Sequence, residues 1–171
     1  MTRALSPSRL LGGPASARGS RAAATSISVR PVRRGDLEQI IAIDATVTGL
    51  EKRSYWRSVY RRYGDAEHAG RKFLVADADG RVVGFVIGEV RDWEFGSPPC
   101  GWVFAIDVRP DIRLLGVGTQ LLKAICASFR RAGVRKLRTI LARDNTLILS
   151  FFRSQGMMAG PFIPLEMNLE A

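Results

Sequence analysis

Apolar positions along this chain recur with two periods, and the switches between them mark out the elements. Ile27 to Val32 alternates apolar and polar and stops at Arg33-Arg34-Gly35-Asp36, which predicts a short first strand. Asp36 is placed to cap a helix that carries Leu37, Ile40 and Ile41 on one face. Thr48, with Glu51 three residues on, has the spacing of a capping box for a second helix. On that helix Trp56, Val59, Tyr60 and Tyr63 form an apolar stripe beside a basic one of Arg53, Arg57 and Arg61. Lys72 to Ala76 and Arg81 to Arg91 read as strands joined by the turn Asp77-Ala78-Asp79-Gly80, and Gly84 within the second suggests a bulge or a close backbone approach. After the Pro-containing loop Asp92 to Gly101, Trp102 to Val108 reads as a strand. Leu121, Leu122, Ile125 and Phe129 then recur at helical spacing, and the helix stops at Gly133 behind Arg130 and Arg131. Leu137 to Ala142 reads as a strand, Thr146 to Gln155 as a helix ending at Gly156, and Met157 to Ala159 and Leu165 to Leu169 as short terminal strands. The order is β-α-α-β-β-β-α-β-α-β-β.

Composition separates the first residues from the rest. Residues 1–26 are rich in Ala, Ser, Gly and Arg and lack a hydrophobic period, so they are expected to form a disordered tail ahead of one domain over 27–171. The tail holds Arg3, Arg9, Arg18 and Arg21 without an acid, so it supplies four of the ten net positive charges. Its composition also fits an organellar transit peptide, but a mis-assigned upstream start or a plain extension is the favoured reading. No run reaches the roughly 18 apolar residues of a membrane span, and no metal-type spacing of Cys and His is present. Cys100 and Cys126 read as reduced thiols, which with the lack of a span points to a cytoplasmic chain with no membrane partner.

The stretch from Val108 to Thr119 changes the picture most. Pro110 ends a strand, Arg113 leads a turn, and Gly116 and Gly118 stand where a helix begins. Glycines without Cβ atoms, unpaired N–H groups and the positive end of a helix dipole together make a cradle for a phosphate. A dinucleotide site would want a third glycine and a nucleotide-hydrolase loop a Gly-Lys-Ser/Thr, and neither occurs.

Arg113-Leu114-Leu115-Gly116-Val117-Gly118 after Val108-Arg109-Pro110 resembles the signature of the GNAT superfamily of acyl-CoA-dependent N-acyltransferases. Val29-Arg30-Pro31 with Gly35-Asp36-Leu37-Glu38, Arg81 to Phe85, and Asn145 with Phe151 to Met157 are similar to its opening, third-strand and late segments in the same order. The resemblance implies an α/β (α+β) fold, a mixed sheet of about seven strands with about four helices, splayed between the fourth and fifth strands. It implies an acetyl-CoA-dependent N-acetyltransferase that passes its acetyl group directly to an amine, either a protein lysine or N-terminal amine or a small molecule. It also implies that backbone N–H groups of Leu114, Leu115, Gly116, Val117, Gly118 and Thr119 take the pyrophosphate beside Arg113. The main chain of Ile106, Asp107 and Val108 would pair with the pantetheine arm, and Asn145 and Phe152 would border the cofactor. Association into homodimers, common among relatives, is left open by analogy.

The chemistry is less legible than the binding. Many members protonate the departing thiolate with a tyrosine, and its place here is held by Phe152. An early carboxylate on the fourth strand is replaced by Trp102 and Phe104, which leaves Asp107 and Glu89 as candidate bases and water as a third route. Asp107 has the opposite strand parity to Phe104, Ile106 and Val108. A catalytically weak acyl-CoA sensor is therefore the alternative to an enzyme. A nucleic-acid partner is disfavoured because no recognised motif accompanies the charge.

Overall fold

A computed structural model describes residues 26–113 and 115–169, and all structural statements concern these. The expected tail thus lies, but for Ser26, outside the described residues. The sheet has five strands in the order β1-β2-β3-β4-β5: Ile27–Pro31, Arg71–Ala78, Arg81–Arg91, Cys100–Val108 and Leu137–Arg138. The first four are antiparallel neighbours, and β5 runs parallel to β4. Helices α1 (Leu37–Thr48) and α2 (Arg53–Tyr63) cover one face; α3 (Val117–Arg131) and α4 (Thr146–Ser154) cover the other. None of the described helices is long and apolar enough to cross a membrane.

Burial on both faces explains why β2 and β3 carry continuous apolar runs rather than strict alternation. Towards α1 and α2 the sheet presents Phe73, Val75, Val82, Phe85 and Ile87, packed on Ile40, Ile41 and Trp56. Towards α3 it presents Leu74, Ala76, Val86 and Val103, packed on Leu121, Ile125 and Phe129. Two register shifts, at Ala76/Asp77 against Val83 and at Ile87/Gly88 against Phe104, let neighbouring residues serve the same face. The first accounts for Gly84, where a Cβ would stand 2.8 Å from the Asp107 carbonyl and 3.2 Å from Leu121.

Several local expectations are corrected. Asp36 precedes α1 without capping it: its buried carboxylate accepts the Arg33 N–H at 2.6 Å and two Arg30 N–H groups at 2.7 and 3.0 Å. Arg30 also grips Asp77 at 2.7 Å, so one guanidinium ties β1 to the α1 entry and to the β2–β3 turn. Thr48 belongs to the last turn of α1, bonding back to the Asp44 carbonyl at 2.9 Å, while Glu51 pairs with Arg53. No capping box forms there. Fewer strands form than the seven expected, because Met157–Ala159 and Leu165–Leu169 remain unpaired and β5 is two residues long. Pro161 and Pro164 remove ladder donors on either side of Phe162 and Ile163, which breaks the tail into pieces too short to pair unaided.

The Arg30 clamp generates a stability prediction. Arg30 holds the carboxyls of both Asp36 and Asp77 below the usual range, through hydrogen bonds and charge, against the cost of burying them. Carboxyls depressed in the fold contribute stability above their unfolded value of about 3.9, and that contribution disappears as pH falls through the lower folded-state value. Arg30→Met should cost about 2–3 kcal/mol at pH 7 in urea denaturation, with the deficit shrinking below about pH 3.5.

Candidate functional site

The site begins where β4 and β5 part. Only Gly101 and Trp102 pair with Leu137 and Arg138, after which the strands diverge and leave the β4 edge from Val103 to Val108 without a strand neighbour on that side. This is the splay expected between the fourth and fifth strands. Side chains of Ile106 and Val108 point into the α3 core, so what the edge offers there is backbone.

At the end of β4, Arg109-Pro110 leads through a single turn of 3₁₀-helix, Pro110–Ile112, to Arg113. Arg113 folds back so that its Nε donates to the Val108 carbonyl at 3.2 Å, which holds the cation beside the open edge. Leu114 lies outside the described residues. Leu115 is exposed, Gly116 takes φ 76°, ψ 8°, and α3 starts at Val117 with no side-chain cap. The first intrahelical bond runs from the Gln120 N–H to the Gly116 carbonyl at 3.0 Å, so the N–H groups of Val117, Gly118 and Thr119 have no partner within the helix. An uncapped end on a 15-residue helix, with a cation alongside, is suited to a phosphate.

The two glycines serve different ends. Gly116 needs its left-handed backbone, and a Cβ there would meet nothing within 4 Å. Gly118 is demanded by packing, since a Cβ would come within 3.1 Å of the Phe151 ring and 3.8 Å of Val108. The sequence reading had assigned both to the approach of an anion; for Gly118 the close neighbour is α4.

Asn145 stands at the start of α4, where its Oδ1 accepts the Ile148 N–H at 3.2 Å. This capping bond leaves its amide NH₂ available. Phe152 is buried, edge-on to Phe151 at 5.2 Å, in the cluster that packs α3 and α4 on the sheet and includes Ile106 and Val108.

The opposite face of β4 carries the titratable groups. Because the bulge brings Phe104 and Ala105 onto the α1/α2 side together, the parity after it is reversed: Phe104 lies 5.2 Å from Tyr63, and Asp107 now faces the same helices. The sequence reading placed Asp107 opposite to Phe104; the extra residue of the bulge overturns it. Burial pushes the Asp107 carboxyl up to about 6, assisted by the negative charge of Asp44 and opposed by Arg113 and Lys52. Among the described residues no side-chain bond holds that carboxyl. Glu89, the other candidate, is committed: Tyr63 Oη donates to one oxygen at 2.8 Å and Arg91 Nε to the other at 3.0 Å. Sequence reasoning missed Asp44, a polar residue on the buried side of α1, which receives the Trp56 indole N–H at 2.8 Å and the Lys52 ammonium at 3.0 Å. Its spacing of three from Ile41 was the available signal.

Comparison with known proteins bears on this geometry. The model of the acetyltransferase (GNAT) family matches residues 37–157, more than half of the chain. The chain belongs to the GNAT acetyltransferase family. Among curated GNAT relatives, the L-2,4-diaminobutyric acid acetyltransferase of Nocardia farcinica is 34% identical over 87 residues, 51% of this chain and 44% of the relative. A mycothiol acetyltransferase of Saccharomonospora viridis is 32% identical over 87 residues, 49% of this chain and 28% of that protein. The matches span less than half the length of these relatives. A solved structure of aminoglycoside N-acetyltransferase AAC(6')-Iy in complex with CoA superposes with a TM-score of 0.74 at 19% identity, covering 85% of this chain and 97% of that one. At that identity the likeness shows the fold.

The different roles of the glycines are separable by chemical denaturation. Gly116→Ala should cost about 1–2 kcal/mol through left-handed strain alone. Gly118→Leu should cost about 1–3 kcal/mol by overpacking against Phe151.

Proposed function

We propose that this GNAT chain is an acetyl-CoA-dependent N-acetyltransferase acting on a small-molecule amine, with Asp107 as general base. The observation that carries the reading is the opening of the sheet beside an uncapped helix start, with a buried carboxyl raised to about 6 on the reverse face of the same strand. The substrate class is supported by the relatives, two of which are named for diaminobutyric acid and mycothiol.

Acetyl-CoA supplies an activated acyl group as a thioester. The N–H groups of Val117, Gly118 and Thr119 and the Arg113 guanidinium would hold its pyrophosphate, and the backbone of Ile106 to Val108 would pair with the amides of the pantetheine arm. An amine is protonated at neutral pH and attacks only after losing a proton. Asp107 Oδ would accept that proton from the ammonium, after which the nitrogen lone pair forms the new N–C bond, the C–S bond breaks, and the nitrogen sheds its second proton to the departing thiolate or to water. A carboxyl near 6 is mostly ionised at pH 7 yet basic enough to receive the proton. Phe152 has no proton to give, so the thiolate would be protonated by water or leave as the thiolate.

The second reading, an acyl-CoA sensor without turnover, rests on that buried phenylalanine. Calorimetric titration with acetyl-CoA followed by thiol-release assays over a panel of diamines, amino sugars and amino acids separates the two. Binding together with release supports the enzyme, binding without release on any acceptor the sensor, and no binding overturns both.

The base assignment makes its own prediction. In the enzyme kcat/KM should rise with pH through an apparent pKa near 6, and Asp107→Asn should lower kcat by about 10²–10⁴-fold while retaining acetyl-CoA affinity. Asp44→Asn should move that acidic limb to lower pH, because a negative neighbour is removed and Lys52 loses its partner. Lys52→Met should move it up. Equal shifts in one direction would contradict the assignment.

A further inference from the structure

The helix that starts at the cradle borders a cavity at its other end. This cavity, of about 310 Å³, lies between the C-terminal half of α3 and the first two strands. It sits on the β1 side of the sheet, with β3 between it and β4. At about 1.5 Å of rise per residue, Ser128 in its wall stands roughly 15 Å along the helix from Gly118. The cavity is therefore separate from the open β4 edge and from the carboxyl on the reverse face of that strand. Small residues make the space: Ala124 and Ala127 line it from the helix, and Val29 and Leu74 from the sheet.

Three charged groups surround this apolar middle. Lys72 shares the parity of Leu74 and so leaves the sheet on the α3 face, where its ammonium donates to the Ala66 carbonyl at 2.8 Å. Arg131, in the last turn of α3, donates through Nη2 to the buried Ser128 hydroxyl at 3.2 Å. Neither cation pairs with a carboxylate among the described residues, and each keeps further N–H groups to give. Asp65, in the loop after α2, accepts the Glu67 N–H on Oδ1 at 3.0 Å, which leaves Oδ2 able to accept. Arg30 also lines the cavity, but its charge is taken up by Asp36 and Asp77. The wall thus presents two cations and one anion, one net positive charge.

We propose that this cavity binds an acidic α-amino acid of the aspartate or glutamate class. Its two carboxylates would meet Lys72 and the Arg131 fork, its ammonium Asp65, and its methylene stem the two alanines. The charges balance in number and in sum, because such a ligand carries two carboxylates, one ammonium and one net negative charge at neutral pH. Size points the same way. A volume of about 310 Å³ stands at the small end of small-molecule sites, enough for a single amino acid and too little for a CoA. A half-buried ammonium without a counter-ion is costly, and the ligand would supply one. The site is independent of acetyl transfer, since no group in it touches the cradle or Asp107.

Calorimetric titration of the full chain with L-glutamate and L-aspartate tests this, with glutarate as the probe that lacks the ammonium. One of the two amino acids should bind with a Kd below about 1 mM, and glutarate about tenfold more weakly or worse. Lys72→Met and Arg131→Met should each weaken the amino acid about tenfold or more. Asp65→Asn should remove its advantage over glutarate. Ala127→Leu, which fills the cavity, should abolish binding, with a cooperative thermal melt showing that the variant folds. If it does not fold, Lys72→Met and Arg131→Met decide the matter. No binding of either amino acid at about 10 mM would overturn the proposal. Glutarate binding as tightly as the amino acids would overturn it in favour of a plain dicarboxylate site. Binding that survives Ala127→Leu would overturn it in favour of the acceptor side of β4. Acetyl-CoA binding and thiol release are read separately, so a failure of acetyl transfer would leave this result standing.

Discussion

The divergence of β4 from β5 after two paired residues is the constraint on which the rest of the structure depends. Parallel strands held together along their length would consume the β4 edge, and α3 would have no gap at which to present its first turn. With the strands parted, the backbone of Ile106 to Val108 has hydrogen-bonding groups that need either water or a ligand carrying amides. Phe151 and Phe152 of α4 fill the space behind the parting, and Phe151 presses on Gly118 so that the α3 start is held against the strand end. The opening is therefore a packed feature rather than a loose one.

A second constraint, the extra residue at Phe104, sorts chemistry from binding. Were β4 to alternate strictly through Phe104, Asp107 would point into the core between the sheet and α3, where an ionised group would have no partner. The bulge turns Asp107 towards Asp44 and Lys52, where burial raises its carboxyl but two cations keep it titratable. Glu89, equally available in sequence, is fixed by Tyr63 and Arg91 and becomes part of the wall. The two carboxylates differ by their donors: one has both oxygens occupied and the other has neither bonded to a described side chain.

What the sequence made legible were elements whose signal is local. The α3 period, the turn at Asp79-Gly80 and the stops at Gly133 and Gly156 follow from side-chain spacing and backbone freedom, and each appears as read. What escaped were outcomes decided between distant segments. Asp36 reads as a cap until Arg30 of β1 reaches it; Thr48 and Glu51 read as a box until α1 runs through Thr48. The face of Asp107 depends on a bulge that no residue type announces. For the terminal strands the alternation of Leu165, Met167 and Leu169 is present, but a strand needs a neighbour as well as a pattern.

That last point ties the two ends of β4 together. Opening the sheet at the end of β4 shortens β5 to two residues, and a strand so short cannot by itself template a neighbour along its outer edge. The cost of making room for a ligand at one end thus falls on the other, where Leu165–Leu169 is left with strand patterning and no ladder. Exposed apolar alternation beside an unpaired edge is a configuration that isolated soluble domains usually avoid with charge, proline or a covering loop. Here prolines stand only before Leu165, and the nearest covering loop presents aromatic rings rather than charge alone. The same splay that gives this family member its open β4 edge therefore leaves Leu165, Met167 and Leu169 with strand patterning and no ladder partner among the described residues.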